Sequence, residues 1–121
     1  MTDFSVLDLV PVREGGTLEE AYAASAALAR TAEATGCKRF WIAEHHAMEG
    51  IGGGATSVVI GHIGNATSTI RIGAGGIMLP NHNPFVIAEQ FGTLAALFPG
   101  RIDLGLGRAP GAGPELQRAL R

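Results

Sequence analysis

The 121-residue sequence is poor in cysteine, in charge and in long apolar runs. Its only cysteine, Cys37, excludes an internal disulfide framework and a zinc site built on several thiolates, and it fits a reducing compartment. No apolar run approaches the roughly 18 residues of a membrane-spanning helix, and residues 1–3 lack the basic start of an export signal. We therefore expect a cytoplasmic globular protein.

An excess of positive charge is also absent. The nine Lys and Arg residues against eleven Asp and Glu give a formal net charge of −2, and basic residues neither cluster nor alternate with aromatic ones. This distribution argues against nucleic acid and against an anionic membrane as partners, so a small and nearly neutral ligand fits better. With 46% apolar residues, the chain is expected to form one domain with a hydrophobic core.

Four apolar runs alternate along the chain with helical patterns. The predicted strands span residues 4–10, 40–43, 70–74 and 102–107, and the predicted helices span 18–35, 55–67 and 84–98, with a further helix beginning at Pro114. Such alternation calls for an α/β fold with a parallel sheet and right-handed crossovers. A doubly wound sheet would be complete near this length, whereas a (β/α)8 barrel needs roughly 250 residues, which would make the chain about half of one.

Local signals mark the ends of the predicted helices. Thr17 followed by Glu20 forms a capping box at the start of the first helix, and Gly36 supplies a left-handed residue at its end. Asn83 and Pro84 are typical of an N-cap and a first helical position. The glycine pair Gly75-Gly76 is expected to end the third strand, where the backbone either turns sharply or approaches a ligand closely.

Polar residues and glycines follow the predicted strands where each one ends. They are Glu44, His45, His46, Gly75, Gly76, Asn81, His82, Asn83 and Arg108. Ligands bind at the carboxyl ends of parallel strands in both architectures, so we expect these residues to share one site. Asp8, near the end of the first strand, either reaches solvent, caps a neighbour or faces that site.

Two other kinds of site use residues of the same regions. Glu44, His45 and His46 are metal-ligand types, but adjacent histidines on an extended segment point apart and no helix-spaced pair accompanies them, so no metal is predicted. The run Gly105-Leu106-Gly107 resembles a dinucleotide-binding loop. It lacks the third glycine and an acidic partner about 20 residues further on.

Three motifs in order resemble those of the bacterial luciferase-like flavin-dependent monooxygenases. They are Trp41 to His46, Ile70 to Gly73 continued by Met78 to Pro80, and Pro99 to Gly111. The likeness is greater to luciferase-like oxidoreductases of unassigned substrate than to light-emitting luciferase. It implies that residues 1–121 form the N-terminal half of a (β/α)8 barrel, with four strands, three complete helices and the start of a fourth.

The resemblance also implies a reaction. Reduced FMN, supplied by a separate flavin reductase, would lie over the carboxyl ends of the strands and activate O2 to oxidise a small organic substrate such as an aldehyde. His45 matches the family's catalytic histidine, and an imidazole is suited to act as a general acid or base near neutral pH. Arg108 matches an arginine that holds the flavin phosphate.

Further positions follow from the same resemblance. Glu44 and His46 would position His45 and line the pocket, together with Asp8 and Asn83. The pair Gly75-Gly76 falls where the family carries a cis peptide beneath the flavin ring. The helices at 55–67 and 84–98 would build a homodimer interface.

The chain also departs from the family. Gly107 stands where light-emitting members carry a reactive cysteine, and Asn83 replaces a histidine, with His82 one place earlier, so luminescence is not inferred. Two alternatives stay open. One is an oxidoreductase that uses deazaflavin F420, and the other is a non-catalytic half-barrel that self-associates through its open strand edges.

Overall fold

The computed structural model describes residues 2–110 and 112–119, in which strands and helices alternate along the chain. The elements are β1 Ser5–Asp8, α1 Leu18–Ala34, β2 Arg39–Ile42, α2 Thr56–Ala66, β3 Arg71–Met78, a 3-10 turn Leu79–Asn81, α3 Pro84–Leu97, β4 Ile102–Gly107 and α4 Pro114–Ala119. All strand pairs are parallel. The predicted α/β fold with a parallel sheet is therefore confirmed.

The strand order separates the two predicted architectures. The sheet runs β1-β2-β3-β4, so spatial neighbours are also neighbours in sequence. A doubly wound sheet instead reverses its order at the point where ligands bind, and no reversal occurs over the described part of the chain. Sequential order is how a (β/α)8 barrel is wound. The carboxyl ends of all these strands consequently lie along one edge of the sheet.

The helix ends form as the local signals predict. The Thr17 hydroxyl accepts a hydrogen bond from the Glu20 N–H at 3.1 Å, and Gly36 has a φ of +84°. The Asn83 side chain accepts from the Phe85 N–H at 2.9 Å. Each of these two N-caps satisfies an N–H that the first helical turn leaves without an internal partner.

The first strand is shorter than predicted. The sequence predicts an extended run over residues 4–10, but β1 ends at Asp8 because Val10 adopts a φ of +54°, which is incompatible with a continuing strand. Pro11 then forms an isolated antiparallel bridge with Ile51. The apolar run in the sequence therefore covers both a strand and the loop that leaves it.

The third strand is longer than predicted. The sequence predicts its end at Gly75-Gly76, yet it continues through them to Met78, with a shift in its pairing to β4 after Ala74. A Cβ on Gly76 would lie 2.9 Å from the carbonyl oxygen of Gly105. The glycine thus permits a close approach of two strands rather than a turn.

The core lies between one face of the sheet and the helices. Its largest fully buried apolar side chains are Phe40, Ile42, Ile60, Ile63, Ile72, Ile77 and Val10. The outer sides of α2 and α3 are open, with Val58 72% and Phe85 71% exposed. A homodimer through these helices stays a prediction. In residues 2–110 and 112–119, no helix has the length and apolar character needed to cross a bilayer.

Helices α2 and α3 approach each other through a glycine. Gly64 is buried in α2, and a Cβ placed on it would lie 2.5 Å from Cζ of Phe98, the residue that ends α3. The aromatic ring occupies the space that a side chain would need. Gly92, in the middle of α3, is exposed, and a Cβ placed on it would have no neighbouring atom within 4 Å. The two glycines therefore play different roles.

Gly64→Ala and Gly92→Ala should change stability in opposite directions. We expect Gly64→Ala to destabilise the fold by about 1–3 kcal/mol, since the Phe98 ring must move. We expect Gly92→Ala to stabilise it by up to about 1 kcal/mol, since alanine favours a helix and meets nothing. Urea unfolding curves measure both. Equal effects of the two substitutions would contradict this account.

The carboxylate of Glu33 ties α1 to the start of β3. One of its oxygens, Oε2, accepts from the backbone N–H groups of Ser68, Thr69 and Ile70 at 2.9, 2.6 and 3.0 Å. These bonds, of which the one from Thr69 contributes most, lower the pKa of the Glu33 carboxyl from 4.5 to about 2. The ionised form is therefore stabilised in the folded state.

The Glu33 interaction should weaken in acid. Because its folded-state pKa lies below the unfolded value, the stabilisation is complete above pH 4.5 and is lost as the pH falls toward about 2. Glu33→Gln should cost about 1–2 kcal/mol at pH 7, and this deficit should shrink across that window. Glu89→Gln, at an exposed position of α3, is the control, and urea unfolding at each pH is the measurement. A deficit that is the same at pH 3 and pH 7 would refute the assignment.

Candidate functional site

Groups that follow two neighbouring strands meet at Glu44, two residues beyond the end of β2. The backbone N–H of Met78, the last residue of β3, donates to Glu44 Oε1 at 3.0 Å. The Asn81 side-chain amide donates to Glu44 Oε2 at 3.3 Å and also to the carbonyl of Pro110, beyond β4. One carboxylate thus joins the carboxyl ends of β2 and β3, and Asn81 extends the network to the loop after β4.

Two histidines complete the surroundings of this carboxylate. His82 Nε2 lies 2.9 Å from both oxygens of Glu44, and His46 Nε2 is hydrogen-bonded to Oε2. An ionised carboxylate only accepts, so each imidazole donates from Nε2. We refer to Glu44, His46 and His82 as the carboxylate–histidine cluster.

The cluster keeps Glu44 ionised although its side chain is fully buried. Burial is the largest single influence and pushes the pKa of Glu44 upward. The hydrogen bonds from His46, Met78, His82 and Asn81 together outweigh it, so the pKa lies below the ordinary value. A buried anion is tolerated here because both of its oxygens meet donors.

His45 stands between two members of the cluster in sequence but does not join it. Its side chain is partly buried, and Nδ1 is fully buried with no hydrogen-bond partner among the residues that the structure describes. A buried polar atom without a partner is costly in a folded protein. The contacts of the described residues therefore do not account for the burial of this nitrogen.

A depression on the sheet provides an apolar floor. It is lined by Leu7, Trp41, Ala74, Gly75, Gly76, Gly105 and Leu106. Trp41 packs against glycines, since a Cβ on Gly73 would lie 2.9 Å from its Cζ3 and one on Gly75 would lie 3.1 Å from its Cβ. The peptide bond between Gly75 and Gly76 is cis, as the resemblance implies.

Among the described residues, the other predicted site residues form no hydrogen bond to the cluster. Asp8 is buried, and its carboxylate accepts from the Ser25 hydroxyl of α1 and from the Val10 N–H at 3.1 Å. Asn83 uses its side chain to cap α3. Arg108 is exposed beyond β4, beside a second depression formed with Leu79, Pro80, Leu106 and Gly107. Pocket roles for Asp8, Asn83 and Arg108 stay predictions.

Sequence reasoning assigned no individual role to His82 and Asn81, which both contact Glu44. The two residues appear among the polar residues after the third predicted strand, at the same edge as Glu44. The resemblance points to Asn83 as the pocket residue instead. The 3-10 turn Leu79–Asn81 decides which of these neighbouring side chains faces Glu44, and nothing in the sequence pattern marks that turn.

A separate ion network lies near the amino ends of the strands. Asp103 accepts from Arg39 Nε at 3.0 Å, from Arg71 Nε at 2.9 Å and from Arg71 Nη2 at 2.7 Å. Hydrogen bonds from Arg71, and secondarily from Arg39, lower the pKa of Asp103. The network joins β2, β3 and β4 at the end of the sheet opposite the cluster.

Comparison with known proteins identifies relatives. A family model described as luciferase-like monooxygenase matches residues 2–117. The luciferase-like monooxygenase of Escherichia coli (strain K12) is 58% identical over 125 residues, which covers 100% of this chain and 37% of that protein. The N-acetyl-S-alkylcysteine monooxygenase of Bacillus subtilis (strain 168) is 44% identical over 111 residues, which covers 92% of this chain and 33% of that protein. The chain spans about a third of the length of these relatives.

Solved structures agree in fold. Apo-MsnO8 gives a TM-score of 0.95 at 43% identity and covers 100% of this chain and 37% of its own. The oxygenating constituent of 3,6-diketocamphane monooxygenase of Pseudomonas putida, in complex with FMN, gives 0.87 at 21% identity, covering 99% and 32%. The coenzyme F420-dependent tetrahydromethanopterin reductase of Methanopyrus kandleri gives 0.70 at 23% identity, covering 88% and 27%. At this identity, the last two show a likeness of fold alone.

These matches agree with the motifs that carry the resemblance in the sequence. The family model extends over nearly the whole chain, and the alignment to the E. coli relative covers all of it. The chain belongs to the luciferase-like monooxygenase family.

Proposed function

We propose that the chain supplies part of the active site of a flavin-dependent monooxygenase that oxidises a small, nearly neutral organic molecule. The observation that carries this proposal is the unpartnered, buried Nδ1 of His45 beside an anionic cluster at the carboxyl edge of the sheet. A buried polar atom without a partner is costly, and a bound substrate is the partner that we assign to it, with Nδ1 as the catalytic acid or base. The family membership supports the same reaction class.

The residues of the site fit a bound flavin. The floor of Trp41, Gly75 and Gly76 is apolar, and a side chain on either glycine would meet Trp41 or the backbone of β4. Arg108 lies exposed beyond β4 and would hold a phosphate through its guanidinium. When bound, reduced FMN supplies the activation of O2. The FMN complex of the Pseudomonas putida enzyme supports FMN, and the F420-dependent neighbour is the competing choice.

His45 acts as the proton carrier in this proposal. Its Nδ1 either accepts a proton from the substrate or donates one to it, and imidazole does both near neutral pH. Glu44 and the two other histidines hold the loop on which His45 stands.

The substrate class follows from the lining of the site. Trp41, Leu7 and Leu106 offer apolar contacts, and no cluster of cationic side chains lies among the residues that line this depression. A small organic molecule with a carbonyl or a thioether suits such a lining. The Bacillus subtilis relative is named for a thioether substrate, which makes that class the practical one to assay.

The test uses a chimera in which the chain replaces the matching 111 residues of the Bacillus subtilis N-acetyl-S-alkylcysteine monooxygenase. With reduced FMN from an added flavin reductase, we expect oxidation of N-acetyl-S-alkylcysteine, measured as product by mass spectrometry. His45→Ala should lower kcat by about 100-fold or more, because proton transfer is lost. Reduced F420 in place of FMN should give no turnover.

The matched control is His62→Ala. His62 is exposed on α2 and lies 3.2 Å from the Tyr22 carbonyl, outside the site, so its removal should leave kcat unchanged. Turnover by the His45→Ala chimera at the parent rate would exclude the proposed role of His45. Turnover with F420 and none with FMN would favour the alternative cofactor. A chimera that folds and self-associates but never retains flavin would favour the non-catalytic half-barrel.

A further inference from the structure

We propose that the carboxylate–histidine cluster, Glu44, His46 and His82, is a binding site for one divalent transition-metal ion of the zinc, cobalt and nickel type. The three residues each offer one ligand atom, and these atoms all lie within 4.8 Å of one another. Two imidazole nitrogens and a carboxylate oxygen are a donor set that such ions prefer. The proposal does not depend on flavin chemistry.

The fold removes the objection that the sequence raised against a metal. Neighbouring histidines on one extended segment point apart, and indeed His45 does not join the cluster. The second imidazole comes instead from His82, which lies beyond β3 and reaches across to Glu44. Ligands from two loops of a rigid sheet edge can converge on one ion, whereas adjacent residues of an extended segment cannot.

The outer contacts of the cluster resemble those of built metal sites. The Met78 N–H and the Asn81 amide both donate to Glu44, so the carboxylate is held in place by groups that are not ligands themselves. Such supporting hydrogen bonds fix the orientation of ligating side chains and raise the affinity for the ion. Glu44 is completely buried, while the side chains of His46 and His82 are 20% and 27% exposed. An ion can therefore enter from the histidine side.

Binding requires small shifts, because each histidine nitrogen must move back from the Glu44 oxygen that it contacts to admit the ion, while the two nitrogens stay within reach of each other. Two imidazole nitrogens on one ion, at bond lengths of about 2.0–2.1 Å, lie at most about 4.2 Å apart. The ligand atoms already lie within 4.8 Å, and the rings of His46 and His82 have centroids 6.4 Å apart. Each neutral imidazole moves its proton from Nε2 to Nδ1, which frees the Nε2 lone pair for the ion. No net proton is gained or lost in this exchange.

The bound ion would lock the loop after β2 to the loop after β3. In its absence, the two loops are joined through hydrogen bonds from both histidines to one carboxylate. Coordination replaces these bonds with metal–ligand bonds and leaves a further position on the ion for water or a small ligand. His45 lies on the locked loop without contributing a ligand atom.

The experiment titrates the 121-residue chain, stripped of metal with a chelator and free of flavin, with Co2+ and with Zn2+. Visible absorption of bound Co2+ and calorimetry with Zn2+ should both give one ion per chain. His46→Gln and His82→Gln keep an amide that donates to Glu44 but lose the nitrogen ligand, so each should weaken binding by about 10-fold or more. His62→Gln and His45→Gln should leave the affinity unchanged.

Circular dichroism of each variant separates a lost ligand from a lost fold, and the same titrations on the chimera described above provide a second folded context. The proposal fails if neither ion binds at millimolar concentration to the folded protein. It also fails if binding persists at full affinity in His46→Gln and His82→Gln, because the ion is then held elsewhere. Since no flavin is present, the outcome is independent of the monooxygenase proposal.

Discussion

The arrangement of the site depends on one buried anion. Glu44 is fully removed from solvent, and an uncompensated charge there would cost several kcal/mol. Hydrogen-bond donors from two loops offset that cost, and the loss of any one of them would weaken the stabilisation of the Glu44 carboxylate. The hydrogen bonds to Glu44 therefore hold the loops after β2 and β3 to one another. This explains how glycine-rich connections can present a defined surface.

The two ends of the sheet use the same chemistry for different purposes. Asp103 accepts hydrogen bonds from Arg39 and Arg71 near the amino ends of the strands. Guanidinium groups stay charged near neutral pH, so the partners of Asp103 do not exchange protons there. Glu44 at the carboxyl end is paired with imidazoles, which do exchange protons and can bind metals. In parallel α/β sheets the carboxyl edge is the functional one, and the choice of partners at the two ends agrees with that rule.

Local features of the fold were predictable because they depend on neighbouring residues. The Thr17 and Asn83 caps need only a side chain and an N–H a few positions away, and both form as predicted. The length of β3 was not predictable, because whether Gly76 turns or continues depends on its contact with a strand some thirty residues away in β4. For the same reason the sequence leaves the role of Asp8 open among three choices, because its hydrogen bond to Ser25 depends on where α1 lies.

The sequence predicts at which edge of the sheet the site lies, but not which side chains form it. Parallel strands bring Glu44 and the polar residues after β3 together whatever the details, so their proximity follows from topology. Which of the adjacent polar residues turns inward depends on a single 3-10 turn, and that turn selects His82 while Asn83 is taken by the helix cap. The selection has a chemical consequence. If the side chain of Asn83 contacted Glu44, it would only add another hydrogen bond. The imidazole of His82 also offers a nitrogen ligand, so the cluster can replace its hydrogen bonds with bonds to a metal ion.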